Sequence, residues 1–532
     1  MSLATTSTTA RRVGFKVKDS LPIRHKRTFS TSPSSGVIDS DVVIVGGGPA
    51  GLALASALRS SSVSKRRLDI TLVEAGDLDK IRAWNPSPGI YSNRVSSLTN
   101  ASQSFLREIG AWKYVEQDRT SGVENLRVWD GVSDARIDFS AVTCNYPSPG
   151  MARLTENLNL QRGLLRHMAD IRIIPRTKVT SISKDNEESG GWPLVKLDDE
   201  KVLRARLLVG ADGFNSPVRA FARISSFGWS YDTQAIVATM YHPPRGVYEG
   251  PNTTAYQRFL PTGPIAFLPL GPTVSSLVWS TKPSLAAALL ACESGVLANM
   301  INAAFRLPLI SLKYLHERIL EAHAKAVPIS VTEIQEEIGW REQSHMIDVN
   351  STYSSSTITR LGIPPADSED VPPLVTEIQP GPFRTNCPRW PELGLSDVEC
   401  LARCIRNALL TGSDIGSYTA LLPYSQERYL ANHTLMSAVD KLHKLFSNES
   451  EPVVWARSVG FEVLNELDTV KAGIMMTAGA RPEKKSSAGS LGWELTAGAI
   501  QTLSSTSKTA GVVKDVVGSA VSSTLSNLTV KL

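Results

Sequence analysis

The stretch DVVIVGGGPAGLALASAL, residues 41–58, confines the fold more tightly than any other part of this 532-residue chain. A β-branched run from Asp41 to Val45 leads into Gly46-x-Gly48-x-x-Gly51 and then into an Ala/Leu helix pattern starting near Pro49. Gly46 permits a tight turn, Gly48 lets the backbone approach a pyrophosphate, and Gly51 lets the helix pack closely on the strand. The helix N-terminus then offers N–H groups and a positive dipole end to the phosphates. A second strand, LDITLVEAG, follows at Leu68 to Gly76 and sets Glu74 23 residues after Gly51, where an acid accepts from ribose hydroxyls. This β-α-β unit predicts buried parallel strands and a bound dinucleotide, with FAD and NAD both open.

Further along, SLTNASQSFLREIGAW (97–112) and NLNLQRGLLRHMA (157–169) read as helices, and IRIIP, KVTSIS, PLVKLD and ARLLVGADG read as short strands. From Trp229 to Lys282 the pattern changes to longer alternating strands, TQAIVATMYH, TAYQRFLP, GPIAFLPLG and SSLVWST, which predict an antiparallel sheet with one covered face. Helical stretches follow at Ser284 to Ala303 and Leu312 to Ala324. Ser351 to Arg389, dense in Ser, Thr and Pro, reads as loop. Helices resume at Ser396 to Leu410 and continue, with breaks, to about Met476. In the Ser/Thr/Ala/Gly-rich tail, Val513, Val517, Val521, Leu525, Leu528 and Leu532 recur at helical spacing.

The formal net charge is +5, of which residues 1–36 hold +6 (seven Lys/Arg against Asp19), so residues 37–532 sum to −1. A nucleic-acid-binding domain would need a basic patch on its folded part, so nucleic acid is not expected as a partner. The leader is also rich in Ser and Thr and contains RHKRTFSTS, the composition of a mitochondrial transit peptide. Five cysteines are too few and too odd in number for a disulfide framework, which favours a reducing compartment. No apolar run reaches the roughly eighteen residues of a membrane span, so any membrane contact is expected to be peripheral.

LLVGADGFNSPVRA places Asp212-Gly213 after an apolar strand and before a helix beginning near Pro217. Here the chain resembles the flavoprotein aromatic hydroxylases, whose second fingerprint is an Asp-Gly at such a strand end, close to the flavin. Three further stretches, YSNRVSSLTNASQSFLREIGAW, GWSYDTQAIVATMYH and AYQRFLPTGPIAFLPLG with SSLVWST, are similar to the ubiquinone-biosynthesis hydroxylases within that group. The likeness runs from about Asp41 to Leu320 and again from Leu393 to Ala478.

The resemblance implies an α/β fold: a Rossmann-like FAD-binding domain, an inserted antiparallel-sheet substrate domain, and C-terminal helices. The corresponding division is a transit peptide at 1–36, the first part of the FAD-binding domain at 37–225, and the substrate domain with its loop at 226–381. The remnant of the FAD-binding domain and the C-terminal helices take 382–480, and the low-complexity tail takes 481–532. It implies FAD as cofactor, held by Gly46, Gly48, Gly51, Glu74, Asp212 and Gly213, with Arg94 near the flavin and Gln161 on the adenine side. Reduced flavin would activate O2 and pass one oxygen atom to C5 of a polyprenylated 4-hydroxybenzoate-type ring. Electrons would arrive through a ferredoxin and its reductase. The protein would sit on the matrix side of the mitochondrial inner membrane, peripherally, in a complex with other quinone-biosynthesis proteins. Two other readings are a non-catalytic assembly subunit of that complex and a flavin hydroxylase of a soluble phenol.

The family pattern next requires a third fingerprint, an apolar strand ending in Gly-Asp-Ala-Ala-His and a Pro-x-x-Gly-x-Gly loop leading into a helix. Here PPLVTEIQPG ends at Gly381, family-like sequence resumes at Leu393, and only PFRTNCPRWPE lies between. Loss of one charge-assisted hydrogen bond costs about 1.5–3 kcal/mol, and loss of a core strand leaves its neighbours with an unpaired edge. The chain is therefore expected to bind FAD weakly and to hydroxylate little, and the abrupt break is that of a skipped exon, a frameshift or an erroneous gene model. Cys387, Cys400 and Cys404 lie beside this junction. Cys400-x3-Cys404 is a single pair without a nearby His, a pattern expected of core residues on a helix face rather than of a metal site.

Overall fold

In the computed structural model, residues 36–474 are described except 66–67, 143–149, 169, 186–190, 226–227, 246–249, 351–370, 386–390, 469 and 473. The transit peptide at 1–36 (apart from Gly36), the tail at 481–532, Cys387 and most of the loop from Ser351 to Arg389 lie outside the described residues.

The β-branched run forms the strand Val37–Val45, whose Val42, Val43 and Ile44 are fully buried. It pairs in parallel with Ile70–Val73 on one side and Val202–Gly210 on the other. Arg172–Ile174 extends the parallel part, and the hairpin Val179–Lys184/Pro193–Leu197 completes a six-stranded sheet. Strands buried on both faces need apolar side chains throughout, which explains why these read as runs rather than alternations. The helix Pro49–Ser60 lays Leu52, Leu54 and Leu58 on one face of the sheet, each worth roughly 1.5–3 kcal/mol of burial. Asn157–His167 and Pro391–Thr411 pack beside it and complete that core.

The second sheet contains the alternating strands Gln234–Tyr241, Thr254–Leu260, Gly263–Pro269 and Val274–Thr281. Tyr256, Phe267, Leu277 and Trp279 face the helices Pro283–Ala291, Ser294–Arg306 and Leu309–Lys325 and form the largest core. The sheet also takes Asn125–Asp130, parallel to Thr254–Leu260, and Arg136–Ser140 from earlier in the chain. At its other edge, Glu377–Ile378 and Phe383–Thr385 both pair with Gln234–Tyr241. A small sheet of Val95–Thr99, Thr120–Val123 and Ala152–Glu156 stands beside it.

Three local expectations change. The helix expected over 97–112 opens as a strand, and the helix Asn100–Glu108 starts where the Thr99 hydroxyl accepts from Ser102 N–H at 3.2 Å. The stretch from Ser284 to Ala303 is two helices, interrupted at Cys292 and Glu293, both in extended backbone. Val331–Asn350 is a further helix, and the C-terminal region resolves into Pro391–Thr411, Tyr418–Phe446 and Glu451–Glu466.

One strand of the first sheet is only half partnered. Val202–Gly210 pairs with Val37–Val45 along its whole length, but on its other side Pro193–Leu197 reaches only Val202, Leu203 and Arg204. Ala211 N–H donates to Val45 O at 2.7 Å, so by alternation Arg206, Leu208 and Gly210 turn their main chain to the outer edge. The turn after Pro391–Thr411 covers Arg206: Asp414 pairs with its guanidinium, and Gly416 packs where a Cβ would fall 2.5 Å from the Arg206 carbonyl. Beyond it no strand pairs with this edge among the described residues, and Gly210 is exposed. Loss of a core strand leaves an edge of this kind.

Candidate cofactor site

At the turn after the first strand, φ of Gly46 is +111°, a conformation that favours glycine, and a Cβ there would lie 2.2 Å from the Ala211 carbonyl. A Cβ on Gly51 would lie 1.9 Å from the Gly46 carbonyl. These two positions close the turn against the Asp212 strand end. Gly48 differs: its φ of −71° suits any residue, and a Cβ there would meet nothing within 4 Å. The open space lies at the N-cap of Pro49–Ser60, where no side chain caps the helix. Orphan N–H groups facing a space that only a glycine leaves clear fit a phosphate group.

The other candidate residues converge on this turn. Glu74 Oε2 accepts from Gly47 N–H, and its Oε1 accepts from Gly76 N–H at 2.6 Å. Gln161 donates through Nε2 to Gly47 O at 3.2 Å. Asp212 accepts from Val218 N–H at 3.3 Å, which fixes the carboxylate at the start of the short helix Pro217–Phe221, and Gly213 has φ of +85°. Gly394, near the start of Pro391–Thr411, abuts Ala50 with 3.4 Å between Ala50 Cβ and an added Cβ. The helix after the junction thus docks beside the glycine turn, with Leu395, Val398 and Ile405 buried.

Arg94 does not touch the turn. It is exposed, with its guanidinium carbon 5.3 Å from the centroid of the Phe383 ring. Its main chain is nevertheless tied to the same helix as Gln161: Asn157 N–H donates to Arg94 O at 2.9 Å, one turn before Gln161. Arg94 therefore stands roughly a helical turn, about 6 Å along the axis, from the level of Gly47.

The sequence reading did not single out the residues that hold the segment in front of Arg94. Glu156 is fully buried and accepts from Arg119 Nε at 2.6 Å and from Ser92 N–H at 2.5 Å. Arg119 also donates to Ile90 O at 2.7 Å and lies over the rings of Trp84 and Tyr91. Gln379 exchanges two hydrogen bonds with the Tyr91 main chain. A buried carboxylate needs such pairing, but nothing local in TEN or DRT marks these residues as partners 37 positions apart.

The second sheet turns one face towards this segment. Residues paired across strands point the same way, so Phe383, Val237, Val278, Ala266 and Gln257 form one row over five strands. Thr239, two residues from Val237, is on the same face and bonds Asn93. The row spans about 19 Å; apart from Val237, which is more buried, it is half-buried, and Gln257 is its only polar member. Tyr241 borders it, donating to Gly89 O at 3.0 Å, with burial and the charge of Glu377 raising its phenol above the usual range.

Cys400 and Cys404 are buried on Pro391–Thr411, and burial pushes the Cys400 thiol up to about 11. Among the described residues no group of three or more His, Cys, Asp or Glu is arranged to hold a metal ion.

A family model for an FAD binding domain matches residues 39–325. The chain is similar to the Saccharomyces cerevisiae protein named Ubiquinone biosynthesis monooxygenase COQ6, mitochondrial, at 35% identity over 85% of this chain and 96% of that one. The proteins of the same name from Schizosaccharomyces pombe and Homo sapiens are 33% and 30% identical, each over 82% of this chain and over 91% and 92% of their own lengths. Among solved structures, p-nitrophenol 4-monooxygenase PnpA from Pseudomonas putida aligns with a TM-score of 0.53 at 15% identity, covering 84% of this chain and all (100%) of that one. PqsL, a probable FAD-dependent monooxygenase from Pseudomonas aeruginosa, aligns with a TM-score of 0.52 at 18% identity, covering 80% and 100%. At such identities the two structures speak for the fold alone, which is that of FAD-dependent monooxygenases.

Proposed function

This chain belongs to the mitochondrial ubiquinone biosynthesis monooxygenases, FAD-dependent enzymes, and from that premise we propose that it hydroxylates C5 of a polyprenylated 4-hydroxybenzoate-type ring with O2. The observation that carries this reading is the half-buried apolar row from Phe383 through Val278 to Ala266, on the sheet face turned to the Arg94 segment. A greasy tail suits such a floor, since burying apolar area on both partners is favourable and no charge on the row is left unpaired.

Gly46, Gly48 and Gly51 would hold the pyrophosphate of FAD, Glu74 the ribose, Gln161 the adenine side, and Asp212-Gly213 the region next to the flavin ring. Arg94, between the glycine turn and the apolar row, would meet the ring and the substrate edge. Bound FAD, once reduced, supplies the O2-activating chemistry. The protein's own contribution is to orient the ring over the row and keep water out, which limits loss of reducing equivalents as hydrogen peroxide. Tyr241, whose phenol burial raises further above its ordinary value, adds a neutral hydrogen-bonding group at the margin.

Electrons would come from a ferredoxin and its reductase, and the protein would work peripherally at the matrix side of the inner membrane with other quinone-biosynthesis proteins. Among the described residues no helix is long and apolar enough to cross a membrane.

The half-partnered strand Val202–Gly210 favours a second reading, in which FAD is held weakly and the chain serves mainly as a non-catalytic assembly subunit. Flavin content separates the two. Purified full-length chain carrying about one FAD per polypeptide, and forming the C5-hydroxylated product from a polyprenylated ring with a ferredoxin couple, would support the first. Flavin-free protein that restores assembly but not hydroxylation in a deficient strain would support the second. Stoichiometric flavin with turnover confined to tail-less soluble phenols would overturn both.

A further inference from the structure

The helix Glu451–Glu466 and the residue after it carry an apolar ridge that faces solvent: Trp455 is 58% exposed, Val459 38%, Val463 50% and Leu467 37%. The four recur every fourth residue and so form a single row about 18 Å long. Glu451, Glu462 and Glu466 are exposed alongside it. The helix's one arginine, Arg457, points inward instead, gripping Asp130 through two 2.9 Å hydrogen bonds with both side chains buried. The outward side is therefore apolar and acidic.

We propose that the C-terminal segment of this same chain, Lys508 to Leu532, docks on this ridge as a helix. Its Val513, Val517, Val521 and Leu525 repeat the four-residue spacing over the same number of residues, and Lys508, Lys514 and Lys531 outnumber its one acid, Asp515. Two such rows interdigitate when helices cross at about −50°. A Ser/Thr/Val-rich segment of this length is marginal as an isolated helix, so packing against the ridge supplies what its own propensity does not. The 38 residues between Ile474 and Val513 are enough to reach the ridge, since even the root-mean-square span of a random coil of that length is about 35 Å. The charge decides between occupants. The glutamates beside the ridge repel an anionic lipid surface, and a second copy would set glutamate against glutamate, whereas a basic segment is attracted.

Hydrogen exchange on the full chain and on a chain ending at Ala480 tests this. Amides of residues 455–467 should exchange about tenfold more slowly in the full chain. The full-length double variant Val517→Asp/Val521→Asp should lose that protection with its thermal transition otherwise unchanged, which keeps the test valid should the shortened chain fold poorly. Equal exchange in all three proteins overturns the proposal. Protection that grows with protein concentration overturns it in favour of a second copy. Protection seen only with phosphatidylcholine/phosphatidylserine vesicles overturns it in favour of a membrane.

Discussion

Asn93 Oδ1 accepts from both the main-chain N–H and the hydroxyl of Thr239, at 2.9 and 2.8 Å, while its Nδ2 donates to Gly381 O at 2.7 Å. One side chain thus joins the residue before Arg94 to Gln234–Tyr241 of the second sheet, between the stretches paired with Glu377–Ile378 and Phe383–Thr385, and to the chain entering the junction. Thr239 is fully buried, so Asn93→Ala leaves two donors without an acceptor and is expected to cost about 1–3 kcal/mol in urea unfolding. Asn93→Asp keeps the acceptor, loses only the donor to Gly381, and should cost less. If Asn93 also sets the position of Arg94, product formed per O2 consumed should fall in the alanine variant at unchanged flavin content.

Gly48 and Gly51 belong to one motif but should fail differently. Gly51→Ala drives a Cβ to 1.9 Å from the Gly46 carbonyl, an overpacking that costs about 1–3 kcal/mol or more, and the apo-protein's melting temperature should drop. Gly48→Ala finds open space and a compatible φ, so the apo-protein should stay within about 1 kcal/mol of the parent. Its FAD affinity, read by flavin fluorescence titration, should nevertheless fall about tenfold or more, because the new methyl occupies the phosphate space. Equal FAD binding by Gly48→Ala and parent would remove the glycine turn from the cofactor site.

The apolar row offers a test of substrate class. Val278→Glu puts a charge in the middle of the floor between Val237 and Ala266. It should raise KM for a polyprenylated ring on the order of tenfold while leaving flavin content as it was. A tail-less phenol should lose much less. Equal losses for the two substrates would mean that the tail does not cross this row.

What the sequence disclosed, and what it hid, follows from the range of the interactions. The strand-turn-helix at 41–58 was legible because each glycine answers a constraint from immediate neighbours. The strands from 234 to 281 were legible because one face is packed and the pattern alternates. Asn125–Asp130 was not, since only its parallel partner 129 residues on, with Val128 beside Gln257, makes it a strand of that sheet. Glu156 and Arg119 carried no local signal for the same reason, their pairing spanning 37 positions. The break between Gly381 and Leu393 could be read as a loss from family pattern, but which edge stood open needed the register of Val202–Gly210.

Acid sensitivity should arise in part from His316, which is 7% exposed on Leu309–Lys325, its ring centroid 5.9 Å from that of Trp279. Among the described residues its Nε2 has no hydrogen-bond partner, and burial alone pushes its pKa down to about 4. The folded value lies below the unfolded one of 6.5, so the unfolded state binds the proton more readily. Stability is then complete above about pH 6.5 and is lost as pH falls towards 4, by about 2 kcal/mol at pH 5. Urea unfolding at pH 7 and pH 5 should show this loss, and His316→Leu should remove most of it. A residue of the slope should remain, because burial lowers His242 in the same direction. An unchanged slope in His316→Leu would mean that the imidazole is already solvated or protonated in the native state, and that this helix contact is looser than its burial implies.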